Sequence, residues 1–466
     1  MFKLLSILFF SGHVVGTIWS QAAWFNPTCV FVPKTAQVMA AEIRKLGQTK
    51  TPFAIRSGGH MAAAGHQSLD DGVMIVTTAL TEMTLVREPN DFGTTFVRAG
   101  PSFRWLDLYS FLEPHGLLAI GGRVASVGSG LLLGGGLSYF SSEYGWAANS
   151  VLNFEVATAD GRLLQANAKE NTDLFWALKG GSNNFGVATR YDLQTYPNSK
   201  MYGGMVTWPE DAAQAYLDAQ TAFMLPGGGH EDSKAAIQPD ISWSPLTNTT
   251  AFGNMFLYAG PVVNPKALEN FTAIPTTSST VALQNFTQVL APSVQYGKRD
   301  RRWSYRDTSI KFAPETMNLI YRVMIDTAKE ILIGVNCTVG AAIQPITQAH
   351  IQAARDKGGD ALDLNPADGG FVISLYYAQW FDPADDDKIA QWSSKAVETL
   401  EAEATKLGIL YAFKFLNDGG IGQHPISTYG GGRSLAKLKA IANKYDPKGV
   451  FQTLVPGFKL SSEPQF

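Results

Sequence analysis

Residues 51–76 read TPFAIRSGGHMAAAGHQSLDDGVMIV, and the turn near the start of this stretch decides how the rest of the chain is read. "FAIRSGG" and "GVMIVTTAL" carry the β-branched and aromatic runs of strands on either side of a turn. At the turn the chain sheds its side chains at Gly58 and Gly59 and then presents the imidazole of His60. Two glycines allow positive φ and let backbone N–H groups approach a bulky ligand closely. Successive N–H groups in such a turn can form a concave anion site. A phosphate cradle has no need of the imidazole, so His60 calls for a further explanation.

Composition narrows the classes. The 466 residues are 45% apolar and 17% charged, ordinary globular values for two or three domains with sizeable cores. A formal net charge of −3 without any Lys/Arg block gives nucleic-acid binding no electrostatic footprint. Glycine, at 45 residues, concentrates between Gly58 and Gly186, which suggests backbone wrapped around a ligand. Only Cys29 and Cys337 occur, excluding a disulfide scaffold and a cysteine-based zinc site; no metal site is expected. The start, MFKLLSILFFSGHVVG, reads as a secretory signal peptide or a divergent N-terminus, and no later run reaches a membrane span. Sequons begin at Asn248, Asn270, Asn285 and Asn336. Together these features predict a secreted or lumenal glycoprotein.

Further along, residues 34–47 have helical apolar spacing with Gly47 as the expected stop. Residues 102–116 predict a helix capped by Ser102 and closed by Gly116. Residues 153–166 predict a hairpin turning at Asp160-Gly161, and 172–181 a helix capped at Thr172 and ended by Gly180. After about Tyr202 glycine thins and strands alternate with longer helices. Residues 369–380 form a strand, 389–407 an amphipathic helix, and 433–451 a last helix stopped at Asp446-Pro447.

The glycines invite a nucleotide-binding reading that fails in detail. In GSGLLLGGG, Leu133 stands at the third glycine position of G-x-G-x-x-G and no strand precedes it. No G-K-[ST] occurs, and no G-x-S-x-G elbow supports a serine hydrolase. Four stretches taken together are specific: RSGGH (56–60), GGRVASVGSGLLLGGGLSYFS (121–141), ADGRLLQANAKENTDLFWALKGGSNNFGVATRYDL (159–193) and YGGGRSLAKLKAIANKYDPKGVFQTLVPGFKL (429–460). They resemble the berberine-bridge-enzyme-like flavoproteins, and most of all the fungal FAD-linked oxidoreductases of secondary metabolism, with a p-cresol methylhydroxylase-type FAD domain. The resemblance runs from about Trp19 to Leu460.

The resemblance implies FAD as cofactor. It implies that the glycine turn, with Arg56, Ser57, Gly58 and Gly59, contacts the FAD pyrophosphate, and that His60 bonds covalently to the flavin 8α-methyl group; a non-covalent packing histidine is the alternative. His66 is read as an ordinary turn residue. Gly121, Gly122, Val127, Gly128, Gly130, Gly134 and Gly135 would line the cofactor, or serve tight packing alone. Many relatives attach flavin a second time through cysteine, but Val124 occupies that position, so attachment is single at most. Asn417 matches the N-Y pair of plant and bacterial relatives while Asp418 replaces the catalytic tyrosine. Asp418 is therefore the candidate base, with a hydrogen bond to the isoalloxazine or a turn cap as the alternative. Tyr376 and Trp380 share one face of their strand, and Tyr377 and Gln379 the other; one pair is expected in the substrate pocket, with Tyr376 and Trp380 as the candidates. Cys29 lacks its usual N-terminal partner.

The expected fold is α+β. Residues 1–19 are the leader or divergent start, 20–200 the FAD domain, 201–410 an antiparallel-sheet substrate domain, and 411–466 a segment returning to the FAD domain. The implied activity is removal of hydride from a small-molecule secondary metabolite, with dioxygen reoxidising the flavin. Alternatives are an oxidative cyclase or pericyclic catalyst in the same pocket, and a flavin- or carbohydrate-binding protein without turnover.

Overall fold

Three parallel strands, β1 (Cys29–Phe31), β2 (Phe53–Arg56) and β3 (Val73–Val76), pair in the order β1-β3-β2. The computed structural model that shows this describes residues 17–464. Helix Ala36–Thr49 supplies the crossover from β1 to β2, as parallel pairing requires. Thr35 caps it by accepting a hydrogen bond from the Val38 N–H. It runs through Gly47 and ends at Lys50 in the left-handed conformation. Gly47 is not the expected stop: a Cβ there would lie 3.1 Å from Val450, so its bareness serves packing.

The second layer is antiparallel: β4 (Met83–Val86), β5 (Phe96–Ala99), β6 (Leu117–Ala119), β7 (Val151–Ala157), β8 (Leu163–Asn167) and β9 (Val187–Pro197). The β7–β8 hairpin turns at Gly161 with φ +83°. The helix expected from Ser102 spans Trp105–Leu112, capped by Arg104 with Asp107 accepting from the Arg104 N–H. The next spans Thr172–Leu178 and follows Asn171, not Thr172, as its cap.

A nine-stranded sheet closes over the first two. Its strands are β10 (Met201–Trp208), β11 (Ala235–Ser244), β12 (Thr249–Tyr258), β13 (Ser278–Ser279), β14 (Ala282–Gln284), β15 (Arg302–Lys311), β16 (Cys337–Ile346), β17 (Phe371–Trp380) and β18 (Leu410–Tyr411). Helices Ala213–Met224, Thr316–Ile331 and Asp386–Leu407 bury apolar stripes against one face, in a core holding Ile241, Val339, Ile343, Tyr376 and Trp380. The other face carries Gln238, Asp240, Gln344, Tyr377 and Gln379 and lines a cavity. Period-two alternation along each strand separates core from cavity.

The C-terminal segment contacts both units. β18 pairs with β15. Helix Arg433–Tyr445 docks through the Tyr445 hydroxyl, which donates to Asp173 at 2.8 Å. The Phe53 N–H donates to the Leu454 carbonyl at 2.9 Å, and Phe451 packs on the Phe53 ring.

Ile18 and Trp19 are 0% and 2% exposed, and their apolar side chains belong to the folded core. Residues 1–16 lie outside the described residues. Among the described residues no helix is long and apolar enough to cross a membrane. Cys29 and Cys337 are both free.

Candidate active site

The loop after β2 and the loop after Val127 touch backbone to backbone. A Cβ on Gly58 would lie 2.6 Å from the Gly128 nitrogen, and one on Gly128 would lie 2.5 Å from the Gly58 Cα. Any side chain at either position would force the loops apart. Ser57 Oγ lies 2.8 Å from Ser129 Oγ, and both hydroxyls reach the Pro101 carbonyl. Arg104 donates to the carbonyls of Gly58 and Ser126.

His60 follows directly. One face of its ring stacks on Trp19, centroids 4.2 Å apart and planes at 15°. Its Nε2 lies 3.1 Å from Ser126 Oγ. Burial, reinforced by the positive charges of Arg104 and Arg299, pushes the imidazole pKa down to about 3. The ring is therefore neutral across the physiological range.

Asp418 sits in the turn Leu416–Asp418 between the two units. Gln344 on β16 donates to its Oδ2, and Arg123 donates to Gln344 Oε1. Burial raises the Asp418 carboxyl to about 6, against the opposing pull of the Gln344 hydrogen bond and the Arg123 charge. Asn417 donates to the Leu131 carbonyl at 3.0 Å and packs its amide on Gly134. Both members of the motif pair border the cavity, and Asn417 also braces the glycine segment.

A second carboxyl stands in the sheet. The Tyr377 hydroxyl on β17 donates to Asp240 Oδ1 on β11 at 3.0 Å, reaching across β16 over Gly340. A Cβ on Gly340 would collide with the Tyr377 ring. Asp240 is pushed up to about 7 by burial, with the Tyr377 bond opposing. Tyr305 feels the negative charge of both Asp418 and Asp240, and burial above all raises its phenol.

These groups border one cavity of about 680 Å³, which also reaches Ser57, Gly59, Val124, Val127, Gly130, Asn183, Gly457 and Phe458. Several expected residues fall elsewhere. Tyr376 donates to the Ile320 carbonyl and Trp380 to Asp386; both face the helices, because the phase of β17 turns Tyr377 and Gln379 to the cavity. Gly121 and Gly122 pack on the Trp105 indole, and Gly135 lies against Leu362 and Trp146. Arg56 is buried behind the loop, donating to the Thr17 carbonyl. These residues, with Gly134, shape the cavity wall from behind and do not border it. His66, expected as a plain turn residue, does border it, edge-on to Phe458. Asp240, Tyr305 and Gln344 belong to no motif, and Arg123 stands in the 121–141 stretch without a role read for it.

Comparison with known proteins places the chain. The FAD binding domain family matches residues 27–167. The chain is 36% identical over 461 residues to the FAD-dependent monooxygenase prx3 of Penicillium roqueforti, covering 96% of this chain and 88% of that one. It is 32% identical over 443 residues to the bifunctional solanapyrone synthase of Alternaria solani, covering 95% and 83%. Two solved structures share the fold. One is 6-hydroxy-D-nicotine oxidase from Arthrobacter nicotinovorans, with TM-score 0.76 at 20% identity over 96% of this chain and 95% of that one. The other is xylooligosaccharide oxidase from Myceliophthora thermophila C1, with TM-score 0.77 at 18% identity and the same coverage. The chain belongs to the berberine-bridge-enzyme-like FAD-linked oxidoreductases, with the p-cresol methylhydroxylase-type FAD domain, and it is an FAD-dependent enzyme. That membership sets aside a binding protein without turnover.

The residues present fit FAD. Burial above all, with the charges of Arg104 and Arg299 added, lowers the pKa of Arg56 behind the glycine loop. The buried Arg56 Nε has no hydrogen-bond partner among the described residues. Ser57, Gly58, Gly59, Gly128 and Gly130 present bare backbone and a hydroxyl to the cavity, a lining that suits a diphosphate.

Proposed function

We propose that this enzyme removes a hydride from an activated C–H of an apolar small molecule, a secondary metabolite, with dioxygen as the final acceptor. The observation that carries this reading is the row Arg123–Gln344–Asp418 beside the Asp240–Tyr377 pair on one face of the nine-stranded sheet, in a cavity also bordered by Met205, Met255 and Leu375. Bound FAD would supply the redox chemistry, taking the hydride and passing two electrons to dioxygen. Asp418 takes the proton of the substrate O–H or N–H as hydride leaves the adjacent carbon. Gln344 fixes the orientation of its Oδ2, and the Arg123 charge keeps the carboxylate form accessible near neutral pH. Met205, Met255 and Leu375 give the cavity an apolar patch beside its polar groups, suited to an aromatic or aliphatic part of the substrate.

His60 would be the single covalent tether, since Val124 offers no thiol. Attachment would exchange one C–H of the 8α-methyl and the imidazole N–H for a C–N bond, with dioxygen as the oxidant that takes up the two protons and two electrons. The deciding experiment is anaerobic mixing of the purified yellow protein with a panel of apolar alcohols, phenols and polyketides. Bleaching of the flavin by a panel member, recovered on admitting air with oxygen consumed, is expected; a flavin unreduced across the panel would reject the oxidase reading.

A second reading is that the same pocket also closes a ring; similarity to a synthase described as bifunctional is compatible with a second activity in one site. Oxygen uptake per molecule of product separates the two, because ring closure alone consumes none. For secretion, Asn248, Asn270 and Asn336 are exposed, whereas the Asn285 amide donates to Glu113 at 3.2 Å. Glycans are therefore proposed at the first three, and an unchanged gel mobility after glycosidase treatment would count against them.

A further inference from the structure

The segment Thr17–Trp24 bridges the two units at the loop that carries His60. The Trp19 N–H donates to the Gly59 carbonyl at 2.8 Å, while the Gln21 N–H donates to Arg301 just before β15 at 3.1 Å. The Trp19 indole lies between the His60 imidazole, at 4.2 Å, and the Trp303 indole, at 4.5 Å and 21°. Its Nε1 donates to the Tyr296 carbonyl at 2.7 Å, and Ser20 Oγ exchanges hydrogen bonds with the Trp303 backbone. The indole is thus clamped on its far face and at its polar edge. Its near face is left to set the plane of the imidazole, whose Nε2 is met by Ser126.

We infer that Trp19 is the positioning residue for flavin attachment: its fixed indole plane holds the His60 imidazole in the orientation from which the ring nitrogen reaches the 8α-methyl carbon. The lone pair of an imidazole lies in the ring plane, so a ring free to rotate about its side-chain bonds spends most of its time aimed elsewhere. Holding reacting atoms in a near-attack geometry is worth large factors in rate. Bulk alone would fill the space but would leave the plane undefined. The inference rests on the proposed His60 tether.

The test follows acid-stable flavin. Apoprotein of wild type, Trp19→Phe, Trp19→Leu and Trp19→Ala is mixed with FAD. Total bound flavin is read from the desalted native protein and covalent flavin from the acid pellet over time. The flat ring of Phe is expected to attach near the wild-type rate. Leu and Ala are expected to bind FAD yet attach it at least about tenfold more slowly. Leu attaching as fast as Phe would reduce Trp19 to a space-filler and overturn the inference. Failure of Leu and Ala to bind any FAD would overturn it as well, because Trp19 would then build the site as a whole. A wild-type pellet that is colourless although FAD is bound would instead remove the tether itself, and the inference with it.

Discussion

Asp418 is an ordinary carboxyl made useful by its surroundings. Held near 6 by burial, it is a carboxylate over most of the neutral range and still basic enough to take a proton. As pH rises through about 6 the base forms, so kcat/KM of the wild type should climb and then level. Asp418→Asn should lose about 10²–10⁴-fold in kcat/KM, the usual share of a general base, and should lose the climb as well. Turnover intact in that variant would leave Asp418 a hydrogen-bonding group only. Tyr377→Phe should act differently. It removes the bond that restrains the Asp240 pKa and strips the carboxyl of its one phenolic partner, at a cost of about 1–3 kcal/mol. Thermal denaturation of the loaded enzyme would register the loss, and an unchanged melting temperature would show the pair to be idle.

Strand β16 is shaped by what crosses it. Gly340 lies between Ser242 of β11 and Tyr377 of β17, and a mid-strand glycine ordinarily weakens a sheet. Here it opens the path by which Tyr377 reaches Asp240. Gly340→Ala should push the phenol aside, destabilise by about 1–3 kcal/mol through overpacking, and raise KM for substrate more than Tyr377→Phe does. On β15, Asp307 accepts from the Phe415 N–H at 2.6 Å and is pushed up to about 8, mainly by burial. A carboxyl whose pKa is raised on folding contributes stability below its unfolded value near 3.8, lost as pH rises through about 8. Asp307→Asn keeps an acceptor for Phe415 and removes that loss. The melting temperature of the variant minus that of wild type should therefore grow more positive from pH 5 to pH 9; a constant difference would contradict the sign.

The enzyme as a whole is held across its two units by loops that meet around the cavity. Because Gly58 and Gly128 touch through bare backbone, Gly58→Ala should separate them and abolish flavin loading while the nine-stranded sheet, which lies elsewhere, remains folded. Absorbance near the flavin band relative to protein, together with far-UV circular dichroism, reports both. A Gly58→Ala protein with full flavin content would mean that the loops can part without loss. Denatured wild type should keep its colour on the chain and His60→Ala should release it. Colour released from both would place the cofactor in the site without a bond.

What could be read without coordinates was local. RSGGH, the Asp160-Gly161 hairpin and Asn417-Asp418 carry their meaning in adjacent residues, because turn geometry and backbone access depend on the chain's immediate neighbours. β17 shows where that stops. FVISLYYAQW is apolar on both faces, so its composition sets no phase, and only packing against the Thr316–Ile331 and Asp386–Leu407 helices turns Tyr376 and Trp380 inward and Tyr377 to the cavity. The pocket's polar groups were equally silent. Gln344 meets Arg123 across 221 residues of chain and Asp418 across 74, and Tyr377 meets Asp240 across 137. The sequence by itself determined the cofactor class, through four stretches that resemble one flavoprotein family, since such motifs lie in adjacent residues. Only the tertiary structure decided which side chains face the substrate, since that depends on how distant strands stack and on which face each one turns to the cavity.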